Sequence, residues 1–153
     1  MPERLGPSMS GISSVLTVDT PSGHGVHSGG VDLVDVDRLG LAVIRSGPPL
    51  LRRLFDADER GACADGAQPA AAAGLFGIKE SVVKVVGGLP RGASYRDVSI
   101  GVGTDGAHLP VRLSGELARW ADAHRVEVIA GSAPRPNGVV VAWALALRED
   151  TPC

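Results

Sequence analysis

Apolar and polar positions recur regularly enough along this chain to divide it into elements. Gly29-Gly-Val-Asp-Leu-Val-Asp-Val-Asp37 alternates, predicting a strand with Val31, Leu33 and Asp35 on one face and Asp32 and Val34 on the other. Asp35 and Asp37 fit the start of the following turn or helix. Residues 38–55 carry leucines and valines at helical spacing, interrupted by Gly47, Pro48 and Pro49. Asp56 and the acids after it read as a helix start, and residues 61–73, rich in Ala and Gly, lead into the next element. Residues 76–87 predict a helix of about three turns, with Phe76, Val83 and Val86 marking its packing stripe and Val82 and Val85 widening it. Gly87 and Gly88 stop it. Two strands come next, 96–102 and 109–113, joined by a hairpin turn at 104–106. Ser114 predicts the cap of a helix running to about Arg125, with Leu117, Trp120 and Ala121 facing inward. Residues 126–130 and 138–147 form a last strand pair turning at Asn137 and Gly138, with Val139, Val141, Trp143, Leu145 and Leu147 on one face.

Composition narrows the class. A length of 153 residues fits one domain. Residues 1–25, rich in Gly, Ser and Pro, read as a flexible tail ahead of a domain at 26–149. A net charge of −2 excludes a generally basic nucleic-acid binder. With aromatics at only 3%, Val, Leu and Ala must fill the core. Cys63 and Cys153 are too few and too far apart for a disulfide framework or a zinc site, so reduced thiols are expected. No apolar run approaches the ~18 residues of a membrane span and no secretory h-region is present, which makes the cytoplasm the default compartment. His24 and His27 flank two residues, but no third metal ligand accompanies them.

Charge placement brings the chemistry into view. The chain has 13 Arg and two Lys, and both lysines, Lys79 and Lys84, fall in the 76–87 helix. A compact ammonium and a planar guanidinium are not equivalent where a point charge or a titratable amine is needed. Glu80 and Lys84 are one helical turn apart on one face, while Lys79 points about 100° away from Glu80. As a mere surface pair, Glu80 and Lys84 would contribute about 0.3–0.5 kcal/mol. Asp32 lies inside a β-branched apolar run, where an unpaired carboxylate is costly to bury, so it must face solvent or hold a cation. Residues 38–55 hold Arg38, Arg45, Arg52 and Arg53 and no acid, a basic surface suited either to plain solvation or to an acidic partner. The loop from Gly87 to Gly92, with Arg91, is glycine-rich but by itself a weak phosphate signal.

Taken together, Gly30-Val-Asp-Leu-Val-Asp-Val-Asp-Arg38 and, some forty residues later, Phe76-Gly-Ile-Lys-Glu-Ser-Val-Val-Lys84 resemble the paired signature of the 4′-phosphopantetheinyl transferases, nearest to the small holo-acyl-carrier-protein synthase type. Arg53-Leu-Phe-Asp-Ala-Asp-Glu59 and Arg96-Asp-Val-Ser-Ile100 are similar to the family's intervening turn and following strand. The resemblance implies an α+β single domain, a mainly antiparallel sheet packed against a long central helix. It implies transfer of phosphopantetheine from coenzyme A to a serine of an apo acyl or peptidyl carrier protein, in fatty acid or polyketide biosynthesis, by a homotrimer with sites between subunits. Phosphoryl transfer rests on positioning and charge neutralisation. By resemblance, Asp32 and Glu80 would hold Mg²⁺, and Lys84 would meet phosphate charge or protonate the leaving group. Lys79, Gly87, Gly88, Arg91 and Arg135 would serve coenzyme A, and Arg38, Arg45, Arg52 and Arg53 would dock the carrier. No nucleic acid or membrane is implied as a partner. Two positions depart from the pattern. Leu75 stands where the family has Arg, and Val126-Glu-Val-Ile-Ala-Gly-Ser132 lacks the family's late Ser/His segment. That second departure leaves open a non-catalytic relative that binds a carrier or another partner.

Overall fold

In the computed structural model, which describes residues 18–64, 69–101 and 108–150, the alternating run becomes strand β1 (His24–Asp35). Asp35 closes the strand and caps helix α1 (Val36–Ser46), its Oδ1 accepting from the Arg38 amide at 2.9 Å. Gly47, with φ of +63°, breaks the chain before α2 (Pro48–Leu54), whose first position holds a proline that needs no amide donor. Helix α3 (Ala57–Ala64) starts on a reciprocal cap: the Glu59 amide donates to Asp56 Oδ1 and the Asp56 amide to Glu59 Oε2.

Helix α4 (Pro69–Val86) is longer than expected, because the alanine-rich stretch belongs to it instead of leading into it. It ends where glycines permit left-handed backbone: Gly87 and Gly88 have φ of +87° and +123°, and their amides bond Lys84 and Val83 carbonyls. A 3₁₀ turn (Tyr95–Asp97) leads into β2 (Val98–Ile100). Then come β3 (Leu109–Leu113), α5 (Gly115–His124), β4 (Glu127–Pro134) and β5 (Val139–Glu149). The sheet order is β1-β5-β4-β3-β2, and every neighbouring pair is antiparallel. This is the α+β arrangement of an antiparallel sheet with a long helix across it. The hairpin turn expected at 104–106 lies outside the described residues. So does most of the expected tail, and His24 and Gly25 already belong to β1.

The helix lies on the face of the sheet lined by small residues. Ala142, Ala144 and Ala146 of β5, with Val128 and Ala130 of β4, pack under Ile78, Val82 and Val85. Trp143, Leu145 and Leu147 share the opposite face, as their alternation predicts, and cluster there with Ile129. Small residues under α4 let two backbones approach. A Cβ on Gly30 would stand 2.3 Å from the Ser81 carbonyl oxygen, and one on Gly77 would stand 2.8 Å from the Ala142 Cβ. The buried stripe of α4 is therefore Ala73, Gly74, Gly77, Ile78, Ser81, Val82 and Val85 with Lys79, while Phe76, Val83 and Val86 are only half-buried. Small residues, not valines alone, set the contact face.

One smaller expectation changes, the Ser114 cap. The Ser114 side chain does not cap α5; its hydroxyl donates to Asp97 Oδ1 at 3.0 Å. Trp120 is half-buried and stacks on His124, with ring centroids 4.6 Å apart. Cys63 is a free, half-buried thiol, pushed up by burial and by Glu59. No described helix is long and apolar enough to cross a membrane.

The close crossing at Gly30 should be intolerant of one added methyl. Gly30→Ala is expected to lower stability by about 1–3 kcal/mol, the range for overpacking a filled interior. A urea midpoint equal to wild type would show that the helix and strand have slack there.

Candidate active site

The Gly30 contact governs the geometry two residues further along β1. Asp32 points to the α4 side, and Lys84, one turn beyond Ser81, reaches it. Lys84 Nζ donates to Asp32 Oδ1 and to the Val31 carbonyl, each at 2.7 Å. The Asp32 side chain is 19% exposed and that of Lys84 49%. A costly lone carboxylate in an apolar strand is thus relieved by an ammonium from the neighbouring helix. The spacing of Glu80 and Lys84 predicted a shared face, but the two do not pair. Glu80 Oε1 accepts instead from the Tyr95 hydroxyl at 2.8 Å.

Asp32 and Glu80 line one cleft of about 420 Å³, together with Arg38, Arg53, Phe76 and Tyr95. Strand β1 supplies Asp32, α1 and α2 the arginines, α4 Phe76 and Glu80, and the 3₁₀ turn Tyr95. Arg45 and Arg52 are exposed on the same two short helices but do not line the cleft. Burial, then the Glu80 carboxylate, pushes the Tyr95 hydroxyl up to about 12. Each carboxylate has one oxygen engaged and a second with no hydrogen-bond partner among the described residues. Two hard-oxygen donors facing one cleft fit Mg²⁺, which takes one or two carboxylates and completes its shell with phosphate and water oxygens. Among the described residues, no three His, Cys, Asp or Glu side chains converge as a metal site. His27 lies against the His124 ring, with centroids 5.4 Å apart.

Lys79 does not face the cleft. It is fully buried, and its Nζ is held by Glu59 Oε2 at 2.8 Å, by the Tyr95 carbonyl at 2.9 Å and by the Val98 carbonyl. All three of its donors are taken, so it cannot contact a phosphate of coenzyme A. It serves the fold, and that expectation is corrected. Glu59 Oε1 in turn accepts from the Ile100 amide at 3.1 Å. Asp56 Oδ2 accepts from the Ser99 hydroxyl at 2.9 Å. Burial raises the Asp56 carboxyl, but the Glu59 amide, the Ser99 hydroxyl and the charge of Lys79 outweigh it and hold it below its ordinary 3.8. Gly87, Gly88, Arg91 and Arg135 do not line the cleft either. The two glycines end α4, Arg91 is exposed beyond them, and Arg135 is half-buried in the β4–β5 turn. Ser132 is exposed on β4, and its Oγ would stand 2.7 Å from a Cβ built on Gly74.

Tyr95 is a site residue that the sequence pattern alone does not single out. It is the only tyrosine in the chain and stands just before the Arg96–Ile100 strand motif. In so aromatic-poor a sequence, a single phenol beside a signature motif is the available signal.

The fold is that of solved holo-[acyl-carrier-protein] synthases. The holo-[acyl-carrier-protein] synthase of Neisseria meningitidis superposes with a TM-score of 0.69 at 22% identity, covering 80% of this chain and 98% of that one. The Helicobacter pylori enzyme of the same name, solved in complex with coenzyme A, gives 0.65 at 23% identity, over 77% and 98%. By sequence, a holo-[acyl-carrier-protein] synthase of Frankia casuarinae is 38% identical over 117 residues, 76% of this chain and 93% of its own length. Residues 28–142 match the family model described as the 4′-phosphopantetheinyl transferase superfamily. The chain belongs to that superfamily.

Removing one partner of a buried ion pair leaves the other charge uncompensated. Lys79→Met is therefore expected to cost roughly 3–5 kcal/mol in chemical denaturation. A loss below about 1 kcal/mol, with coenzyme A binding weakened instead, would return Lys79 to the cofactor site.

Proposed function

We propose that this chain is a Mg²⁺-dependent holo-acyl-carrier-protein synthase, moving 4′-phosphopantetheine from coenzyme A to a serine of an apo carrier protein. The observation that carries the reading is the convergence of Asp32 and Glu80 on one cleft with Arg38 and Arg53 at its side. When bound, Mg²⁺ supplies charge neutralisation to the diphosphate. Asp32 and Glu80 would hold it, each keeping one carboxylate oxygen with no hydrogen-bond partner among the described residues. In the transfer, the carrier serine oxygen bonds to the β-phosphorus, the diphosphate P–O bond breaks, the serine proton is released and 3′,5′-adenosine bisphosphate leaves. Lys84 does not line the cleft, but it is anchored on Asp32, which does, and is half-exposed, so its ammonium would meet phosphate charge beside that carboxylate. Arg38, Arg45, Arg52 and Arg53, exposed on α1 and α2, dock the acidic carrier surface.

Incubation with coenzyme A, Mg²⁺ and an apo carrier, read by mass, tests this. Wild type is expected to add one phosphopantetheine and Glu80→Gln to add none while keeping its fold. Lys84→Arg should be strongly impaired, since a planar fork is no substitute for a compact ammonium. Arg38→Glu should raise the carrier KM, and carrier binding should weaken with salt because exposed charges are screened over about 8–10 Å at 0.1–0.15 M. Equal activity in all variants would remove the site assignment. One observation favours a second reading: among the described residues, no histidine lines the cleft. A wild type that modifies no carrier, yet binds one, would make the chain a non-transferring relative.

We infer also a homotrimer. Val26, Val31 and Leu33 of β1 are 56, 54 and 67% exposed, an apolar strip on a sheet edge that supports burial against another copy. Light scattering should give three times the 15.6 kDa chain mass, and Leu33→Glu should lower it. A monomeric wild type would refute the assembly.

A further inference from the structure

Glu80 sits at the centre of the proposed chemistry, yet the described residues give its carboxylate a single hydrogen bond, from Tyr95. A glutamate has three side-chain torsions, and the last is broad and nearly two-fold. Among the described residues, no other hydrogen bond selects which oxygen faces the cleft. Tyr95 is itself held at both ends by consecutive residues of α4. Lys79 donates to its carbonyl at 2.9 Å, and Glu80 accepts its hydroxyl proton at 2.8 Å. These two side chains leave the helix about 100° apart, so one grips the backbone of the 3₁₀ turn while the other meets the far end of the ring.

The turn is fixed from its other side as well. The Ser94 amide donates to Asp97 Oδ2 at 2.7 Å, the Ser94 hydroxyl to the same oxygen at 3.2 Å, and the Ser114 amide to the Asp97 carbonyl at 2.9 Å. The Phe76 ring, one helical turn before Glu80, lies 6.2 Å from the Tyr95 ring, centroid to centroid. A side chain present only to fill space does not need its one polar atom delivered to a carboxylate by a doubly anchored backbone.

We propose that Tyr95 is a positioning residue: its hydroxyl occupies Glu80 Oε1 and so presents Oε2 to the cleft as the metal-binding oxygen. This rests on the reading of Glu80 as a ligand. A carboxylate that ligates a metal is oriented by hydrogen bonds from the shell behind it, and losing such a bond typically costs about 10–100-fold in metal affinity or activity. Because a phenol at neutral pH is a donor, it suits an ionised glutamate and does not compete with it for the cation.

Mn²⁺ binding, followed by electron paramagnetic resonance with coenzyme A present, separates the ligand role of Glu80 from the positioning role of Tyr95. Glu80→Gln should lose the bound Mn²⁺ signal. Tyr95→Phe, which keeps the ring and its packing on Phe76, should bind Mn²⁺ about 10–100-fold more weakly, with a melting temperature near wild type. Its transfer rate should recover as Mg²⁺ is raised, a rescue that a merely structural defect does not show. If Tyr95→Phe binds Mn²⁺ like wild type while Glu80→Gln does not, the positioning role is overturned and Glu80 remains a ligand. If Glu80→Gln binds like wild type, both fall. A second measurement needs no Tyr95 variant. As the only tyrosine, Tyr95 gives one set of ring resonances. Mg²⁺ with coenzyme A should shift them in wild type and not in Glu80→Gln, and no shift in metal-bound wild type would overturn the proposal.

Discussion

An ammonium buried without contact to water must have every donor satisfied, and Lys79 meets that demand with one carboxylate and two carbonyls. Its three partners come from three separate places: Glu59 on α3, Tyr95 in the 3₁₀ turn and Val98 at the start of β2. The pair therefore dictates where those segments stand relative to α4. Glu59 extends the constraint by accepting the Ile100 and Asp56 amides, so the edge of the sheet and the start of α3 share the same charge network. Residue 80 inherits a fixed environment from residue 79. Because a helix advances about 100° per residue, a side chain locked into the core directs its neighbour to the cleft.

A second constraint works from the sheet side. Gly30 and the alanines of β5 let α4 approach until backbone nearly touches backbone, and Lys84 then lies over the end of β1. A larger residue at position 30 would lift the helix away from the strand and take the ammonium away from Asp32. The glycine of the Gly-Val-Asp motif and its aspartate are thus one device. The first sets the distance and the second uses it.

This division explains which features are legible in the sequence. Alternation along β1, the cap at Asp35, the break at Gly47 and the glycines after α4 are local signals, and each element they predict is present. The failures lie where a tertiary partner decides. Lys79 and Lys84 are chemically identical in the sequence, and only Glu59, 20 positions before Lys79, makes one of them core. The spacing of Glu80 and Lys84 puts them on one face, but spacing is silent on Tyr95 and Asp32, which draw them to different partners. On β5, alternation groups Trp143, Leu145 and Leu147 on one face but is silent on which face meets α4. A helix needs small residues to pack closely, and Ala142, Ala144 and Ala146 face it. The cleft is legible as a pair of motifs, while its supporting shell is not.

The absence of an imidazole from the described lining of the cleft has a magnitude attached to it. A positioned general base typically contributes about 10²–10⁴-fold. In phosphoryl transfer most of the acceleration comes from holding the reactants in line and neutralising charge, with little covalent work for the protein. On the proposed reading those larger contributions fall to Asp32, Glu80 and Lys84, which the fold supports twice over. Arg135, held in the β4–β5 turn and outside the cleft lining, does not replace a histidine, since a guanidinium offers donors and no acceptor. Tyr95, pushed up to about 12, remains a donor and cannot take the serine proton near neutrality. Losing the base lowers the rate of a transferase without removing the reaction, whereas losing the carboxylate pair removes what the reaction depends on. On the proposed reading the described cleft keeps the carboxylate pair, the part of the site on which charge neutralisation rests.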